Sequence, residues 1–347
     1  MNKNMKIMLC VGIAAMLCVG GLAIALSSSD KDDRPTIVCT AFPQYDWVNQ
    51  ILGEKAGNFN VVYLLGKGTD VHSYSPSTKD VATIKGCDLL IYVGGESDEW
   101  VEEILDGSNV NENMIVINLV EIALTNNGSG TFAYNDPHLL TWDPPGEDDH
   151  ETDEHVWLSL TNAIFFVKEI AEAICEINEA NSEYYMANAT AYGILLSALS
   201  TEYKSTFNAG TLLNHNKLLF ADRFPFIYLM REYNIRGSQN GHGGLGSENA
   251  PFFAAFSGCA ATTEVSVATI AGLVGMLDTH SIDFIIVTET GNLSLANTLM
   301  NDSSRDGHTI LVLYACQSIS QEQIDKGASY LMFMALNLAT LKTALGV

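Results

Sequence analysis

Two series of short apolar runs, each alternating with segments of helical period, constrain this chain more than any other feature. In the first, "TIVCTAF", "NVVYLL", "DLLIYVGG" and "MIVINLV" read as buried strands, with "YDWVNQILGEKA", "STKDVATIKG" and "SDEWVEEILDG" as the helices between them. Ser75 before Pro76, and Ser97 ahead of an acidic turn, read as helix starts. In the second, "KLLFA", "DFIIVTE" and "HTILVLYA" are strand-like, while "PFIYLMREY", "SVATIAGLVGMLD" and residues 321–345 are helix-like. Strand–helix–strand order makes a parallel sheet covered on both faces. The expected fold is therefore α/β, with two parallel-sheet lobes.

Residues 161–207 carry no strand signal and almost no Gly or Pro apart from Gly193, and Ile164, Val167, Ile170, Ile174 and Ile177 keep helical spacing. This stretch reads as a long helical connector, a stiff hinge. The expected division is 1–35 leader and linker, 36–160 first lobe, 161–207 connector and 208–347 second lobe. A length of 347 residues with 47% hydrophobic and 17% charged residues suits two domains with large cores.

The leader differs from the body. Lys3 and Lys6 precede an uncharged apolar run over residues 7–26, then the polar "SSSDKDD". Such a run can cross a bilayer, and a signal peptide, a lipoprotein signal and an uncleaved anchor all share this pattern. Ala23-Ile24-Ala25 offers an A-x-A cleavage site, whereas Cys18 follows Leu17, where a lipid-modified cysteine wants a small residue. An anchor or signal is favoured over lipidation, and each reading exports the body to an extracytoplasmic location, membrane-attached or secreted.

A formal net charge of −24, from 17 Lys+Arg against 41 Asp+Glu, excludes a phosphate-gripping nucleic-acid binder and favours cations near the surface. Seven cysteines are too few for a disulfide scaffold in a chain of this length, and Cys10 and Cys18 lie in the leader. Cys39, Cys87 and Cys175 sit in apolar patterns as small hydrophobes, while Cys259 and Cys316 stand at strand ends and could pair.

In α/β lobes ligands bind beyond the carboxyl ends of the strands. His72, His155, Asp222, Glu289 and Cys316 all fall after strands or just before helices. Two loops stand apart. "DPPGEDDHETDEH", residues 143–155, could capture a cation through Asp148, Asp149, His150, Glu151, Asp153 and Glu154, or be a solvated charge run. "RGSQNGHGGLGSENAP", residues 236–251, lacks the Gly-Lys-Ser/Thr ending of a phosphate loop and reads as a lid or insertion.

"GTDVHSYSPSTKDVATIKGCDLLIYVG" resembles the first signature, G-x-D-P-H-x-Y-x-P-S, of the zinc/manganese solute-binding proteins of ABC transporters, the cluster A-I metal-binding lipoproteins and adhesins. "DEHVWLSLTNAIFFVKEIAEAI" is similar to their second signature, D-P-H-x-W-L-x-P followed by a long helix, and the likeness runs over residues 36–345. The resemblance implies two α/β lobes joined by a rigid backbone helix, with Zn2+ or Mn2+ held in the cleft as transported ligand. It also implies an ABC permease as partner and a monomer attached to the membrane through the N-terminal segment.

Carried over residue by residue, His72 and His155 match the first two ligands. The third, a His or Glu five residues before a tyrosine, falls on Arg223, whose guanidinium cannot coordinate a cation; Asp222 beside it could serve, or the two could pair. The fourth, an acidic residue after the last strand, falls at Cys316 and Gln317. Glu264 and Glu289 also match acidic positions of the family, as loop braces.

Three functions compete. A metal receptor needs His72 and His155 with Asp222, Cys316 or Gln317. A receptor for a chelated or anionic ligand would use Arg223. A metallohydrolase would need an open metal position and Glu154 or Glu289 as base, yet no H-E-x-x-H or G-x-S-x-G motif is present. The sequence therefore reads as a binding protein and not an enzyme.

Overall fold

A computed structural model of the chain describes residues 32–69, 71–126, 153–207, 217–233, 235, 252–254, 265–291 and 293–347. The apolar leader, the acidic loop up to residue 152, the glycine-rich loop, Cys259 and Glu264 lie outside the described residues. The chain divides into two units, Met1–Arg34 and Pro35–Val347, and every described strand and helix belongs to the second.

In the first lobe β1 (Thr36–Cys39), β2 (Asn60–Tyr63), β3 (Leu89–Tyr92) and β4 (Ile115–Asn118) form a sheet of order β2-β1-β3-β4. All pairs are parallel, with Val38 opposite Val62 and Leu90. Between the strands run α1 (Phe42–Leu52), α2 (Thr78–Gly86) and α3 (Glu99–Leu105), and α4 (Leu119–Thr125) follows β4. Val38, Leu89, Leu90 and Ile91 are wholly buried, as strands covered on both faces require. The order reverses between β1 and β3, which places a ligand crevice at their carboxyl ends.

Two helix starts differ from the sequence expectation. α2 begins two residues later than the Ser-Pro pair suggests: Ser77 accepts from the Asp80 amide and the Asp80 side chain accepts from the Ser77 amide. This reciprocal box satisfies two terminal N–H groups at once, which Ser75 cannot do from outside the helix. At α3, Ser97 does not cap; Asp98 precedes the helix without a side-chain cap bond, and the Ser97 hydroxyl is used elsewhere.

The connector contains two helices, α5 (Leu160–Ile177) and α6 (Ser182–Thr206), packed on one another around a short 3-10 turn at Glu179–Asn181. Asn178 leaves helical geometry at φ −135° and ψ 68° and ends α5. At 25 residues α6 is the long backbone element, about 37 Å by helical rise. Tyr192 on it donates to Asp46 of α1 at 3.2 Å, and Tyr203 to the Met334 carbonyl at 2.7 Å.

The second lobe repeats the plan of the first. β5 (Leu218–Phe220), β6 (Phe252–Ala254), β7 (Phe284–Val287) and β8 (Thr309–Val312) form a parallel sheet of order β6-β5-β7-β8. Between its strands lie α7 (Ile227–Glu232), α8 (Val267–Thr279) and α9 (Leu293–Asp302). The edge strand β6 was not expected, since three residues beside a glycine-rich loop carry too short a pattern to stand out.

Like the connector, the expected C-terminal helix is two: α10 (Gln321–Asp325) and α11 (Tyr330–Leu345). α11 returns to the first lobe, where the Tyr330 amide donates to Asp46 at 3.2 Å and its ring meets Trp47 edge-on at 5.2 Å. One continuous apolar core therefore runs from Ile37 through Phe166 and Leu196 to Leu345.

Candidate metal centre

His72 lies in a 3-10 turn beyond β2, and His155 immediately before a second 3-10 turn, Val156–Leu158, which leads into α5. The structure brings them together, ring centroids 5.5 Å apart, in a site whose walls are fixed by burial: His155 is fully buried and the His72 side chain 10% exposed. Trp157 packs against the His155 ring at 5.0 Å and donates its Nε1–H to the Ala315 carbonyl at 2.7 Å, tying the histidine segment to the loop beyond β8.

Each imidazole is held through Nδ1. Asp153 Oδ1 accepts from the His155 backbone N–H at 2.8 Å and faces its Nδ1 at 2.9 Å. His72 Nδ1 lies 2.6 Å from Ser97 Oγ and 3.2 Å from Glu154 Oε1, and Ser97 Oγ–H donates to the same Glu154 oxygen. The Ser97 backbone N–H adds a bond to Glu154 Oε2 at 3.1 Å. Burial pushes the Glu154 carboxyl up to about 7, against the lowering influence of His155 and Ser97. Gly95, at φ +98°, leaves the space: a Cβ there would stand 2.9 Å from Glu154 Oε2.

From the second lobe one expected residue reaches the histidines. Gln317, 3% exposed, places Oε1 2.9 Å from His155 Nε2. With Nδ1–H committed to Asp153, Nε2 carries a lone pair, so two electron-donating atoms face one another; a shared cation, a proton or a turned amide relieves that repulsion. Two donors about 2.1 Å from one tetrahedral ion stand about 3.4 Å apart, so this pair needs to part by only a few tenths of an ångström.

The other expected ligands are engaged otherwise. Asp222 Oδ2 accepts from the Thr288 amide at 2.9 Å and hydroxyl at 2.6 Å, and Oδ1 from the Arg223 amide at 2.8 Å, so its carboxylate braces the β5 and β7 loops. Cys316 is a free thiol, wholly buried, 3.8 Å from the Tyr314 carbonyl, and burial among Glu289 and Asp46 holds it far above the range in which it ionises. Its φ of +61° turns the side chain into the core and Gln317 into the cleft. Glu289 sets that loop: it accepts from the Ala315 amide at 2.7 Å and the Gln317 amide at 3.1 Å, while burial pushes its carboxyl up. Among the described residues no three His, Cys, Asp or Glu side chains are grouped closely enough to hold one ion.

Ser97 is the site residue that local sequence did not reveal, since its pattern fits a helix cap equally well. Asp153 and Glu154 read as part of a solvated acidic loop, yet they are 4% and 6% exposed.

The family model "ZnuA: Zinc-uptake complex component A periplasmic" matches residues 37–344. The chain is 28% identical over 332 residues to the zinc-binding lipoprotein AdcA of Streptococcus pneumoniae serotype 4, covering 95% of this chain and 60% of that protein. It is 27% identical over 319 residues to the high-affinity zinc uptake system protein ZnuA of Bacillus subtilis, covering 92% of this chain and 90% of that one. Its fold superposes on the crystal structure of Zn(II)-bound AdcA from Streptococcus pneumoniae with a TM-score of 0.67 at 26% identity, over 90% of this chain and 58% of that one.

Proposed function

The chain belongs to the family of the periplasmic zinc-uptake component A, and from that premise we propose that it is an extracytoplasmic solute-binding protein that captures a divalent transition metal, zinc or manganese, for an ABC permease. Such a protein is a transport component, not an enzyme. The observation that carries the reading is the pair of imidazoles with Nδ1 held by Asp153 on one side and Ser97 and Glu154 on the other, leaving Nε2 as the donor nitrogen on each. Neutral imidazole with a carboxylate behind it is the usual ligand of such metals. His72 Nε2, His155 Nε2 and Gln317 Oε1 are the proposed donors, and the metal is cargo. Asp222 and Glu289 support the loops around it.

The expected division at 36–160, 161–207 and 208–347 suits this role, since the proposed donors come from both lobes, two histidines from the first and Gln317 from the second. We assign the N-terminal segment to membrane attachment, as anchor or lipoprotein signal, and the working form to a monomer. One observation favours a second reading: two imidazoles and an amide leave coordination positions open, so the cargo could arrive as a chelate that brings its own donors.

Full-length protein, solubilised in detergent and stripped with chelator, should bind zinc one-to-one in calorimetry, and His72→Ala/His155→Ala should abolish it. An absence of ion binding in the parent, with binding of zinc complexed by a small chelator, would replace the bare-ion reading by the second. Neither form binding would remove metal capture altogether.

A further inference from the structure

Glu154 departs from the pattern that the rest of its motif keeps: the second signature reads D-P-H, and this chain reads Asp153-Glu154-His155. A carboxylate therefore stands where a proline, without hydrogen or charge to offer, is the rule. It is not a solvated outlier of the acidic loop, because it is buried to 6% exposure and points across the site to the other histidine.

With Glu154 as the carboxylate, the proton inventory at that contact has one direction. Ser97 owns one hydroxyl proton and gives it to Glu154 Oε1, while its backbone N–H bonds to Oε2. The hydroxyl oxygen is then an acceptor toward His72 Nδ1, 2.6 Å away, and Glu154 Oε1 is a second acceptor at 3.2 Å. Two acceptors in front of Nδ1 put the imidazole proton on that atom and the lone pair on Nε2. His155 reaches the same state through Asp153, the residue just before Glu154.

We infer that Glu154 is the positioning residue of His72: acting directly and through Ser97, it fixes the tautomer in which Nε2 can bind metal, opposite a far wall that presents Gln317 to His155. The inference rests on the metal-capture reading for its consequence, but its structural half stands on the apo protein. A carboxylate behind a ligating histidine raises the donor strength of the distal nitrogen, and its removal commonly costs 10–100-fold in affinity. Two adjacent residues, Asp153 and Glu154, thus serve two histidines that are far apart in sequence.

The test uses full-length protein with 15N-labelled histidine and two variants, Glu154→Gln, which keeps shape and removes charge, and Glu154→Met, which removes every acceptor. In the metal-free parent, nitrogen chemical shifts should report His72 protonated at Nδ1; Glu154→Met should shift His72 toward the Nε2-protonated form and leave His155 unchanged. Zinc affinity should fall about 10–100-fold in Glu154→Gln, with the thermal midpoint of the metal-free protein within a few degrees of the parent. An unaltered His72 tautomer in Glu154→Met would overturn the inference, as would zinc binding in Glu154→Gln within twofold of the parent. If the parent binds no zinc, metal capture fails, and the tautomer measurement still decides the role of Glu154.

Discussion

The two walls of the cleft use the same kinds of residue for opposite ends. On the first-lobe wall Asp153 and the bonded pair Ser97 and Glu154 turn their side chains toward the Nδ1 atoms of His155 and His72. On the second-lobe wall Asp222 and Glu289 spend their hydrogen bonds on backbone amides and Thr288, while the amide of Gln317 reaches across to His155 and the Tyr228 hydroxyl to the Asp153 carbonyl. Polar groups buried on one wall therefore orient imidazole rings, while those on the other hold loops in shape. An acidic residue at a strand end is evidence of a ligand only once its own oxygens are accounted for.

The largest expected contrast is in metal affinity. His155→Ala should weaken zinc binding by about 1000-fold, about 4 kcal/mol, whereas Asp222→Ala should leave affinity within about threefold while lowering the melting temperature. Comparable losses from both variants would show that Asp222 moves to the metal and that the walls are not divided in this way.

Behind both walls, Asp46 joins α1 to Tyr192 and Tyr330, and burial pushes its carboxyl up to about 6. Its folded-state value lies above the unfolded one, so the folded protein binds more protons between them, and stability falls as pH rises from about 4 to about 6. A shift of this size corresponds to at most about 3 kcal/mol. Denaturation of Asp46→Asn across that range should show a shallower decline than that of the parent, in which Glu154 and Glu289 share; an unchanged slope would assign the decline to those other groups.

Trp157→Phe keeps the packing against His155 but leaves the Ala315 carbonyl without its donor, at a cost of about 1–3 kcal/mol in urea unfolding. No change would mean that the walls are not tied at this point. The smallest expected effect sharpens the comparison most: Gln317→Asp places a charged donor on the far wall and should tighten zinc binding about tenfold, about 1.4 kcal/mol. Weaker binding would indicate that two carboxylates near His155 repel more than the ion repays.

The paired α/β series was legible because strand and helix periods are local properties, and Leu89 to Tyr92 or Ile164 to Ile174 display them without reference to the rest of the chain. The histidines were legible for a similar reason, each standing in a short motif at a strand or helix boundary. Ser97 and Glu154 were not: a serine before an acidic turn and a glutamate in an acidic loop have ready local explanations. So did Cys316, whose fate turns on a φ of +61° that no sequence pattern announces.

The sequence by itself thus determined the two parallel sheets, the helical connector and the pair of imidazoles. Tertiary structure decided which carboxylates face those imidazoles and which face backbone amides, because a hydrogen bond depends on an approach of about 3 Å between atoms. His72 and Glu154 are 82 positions apart in the chain, and only the packed sheet brings them within 3.2 Å.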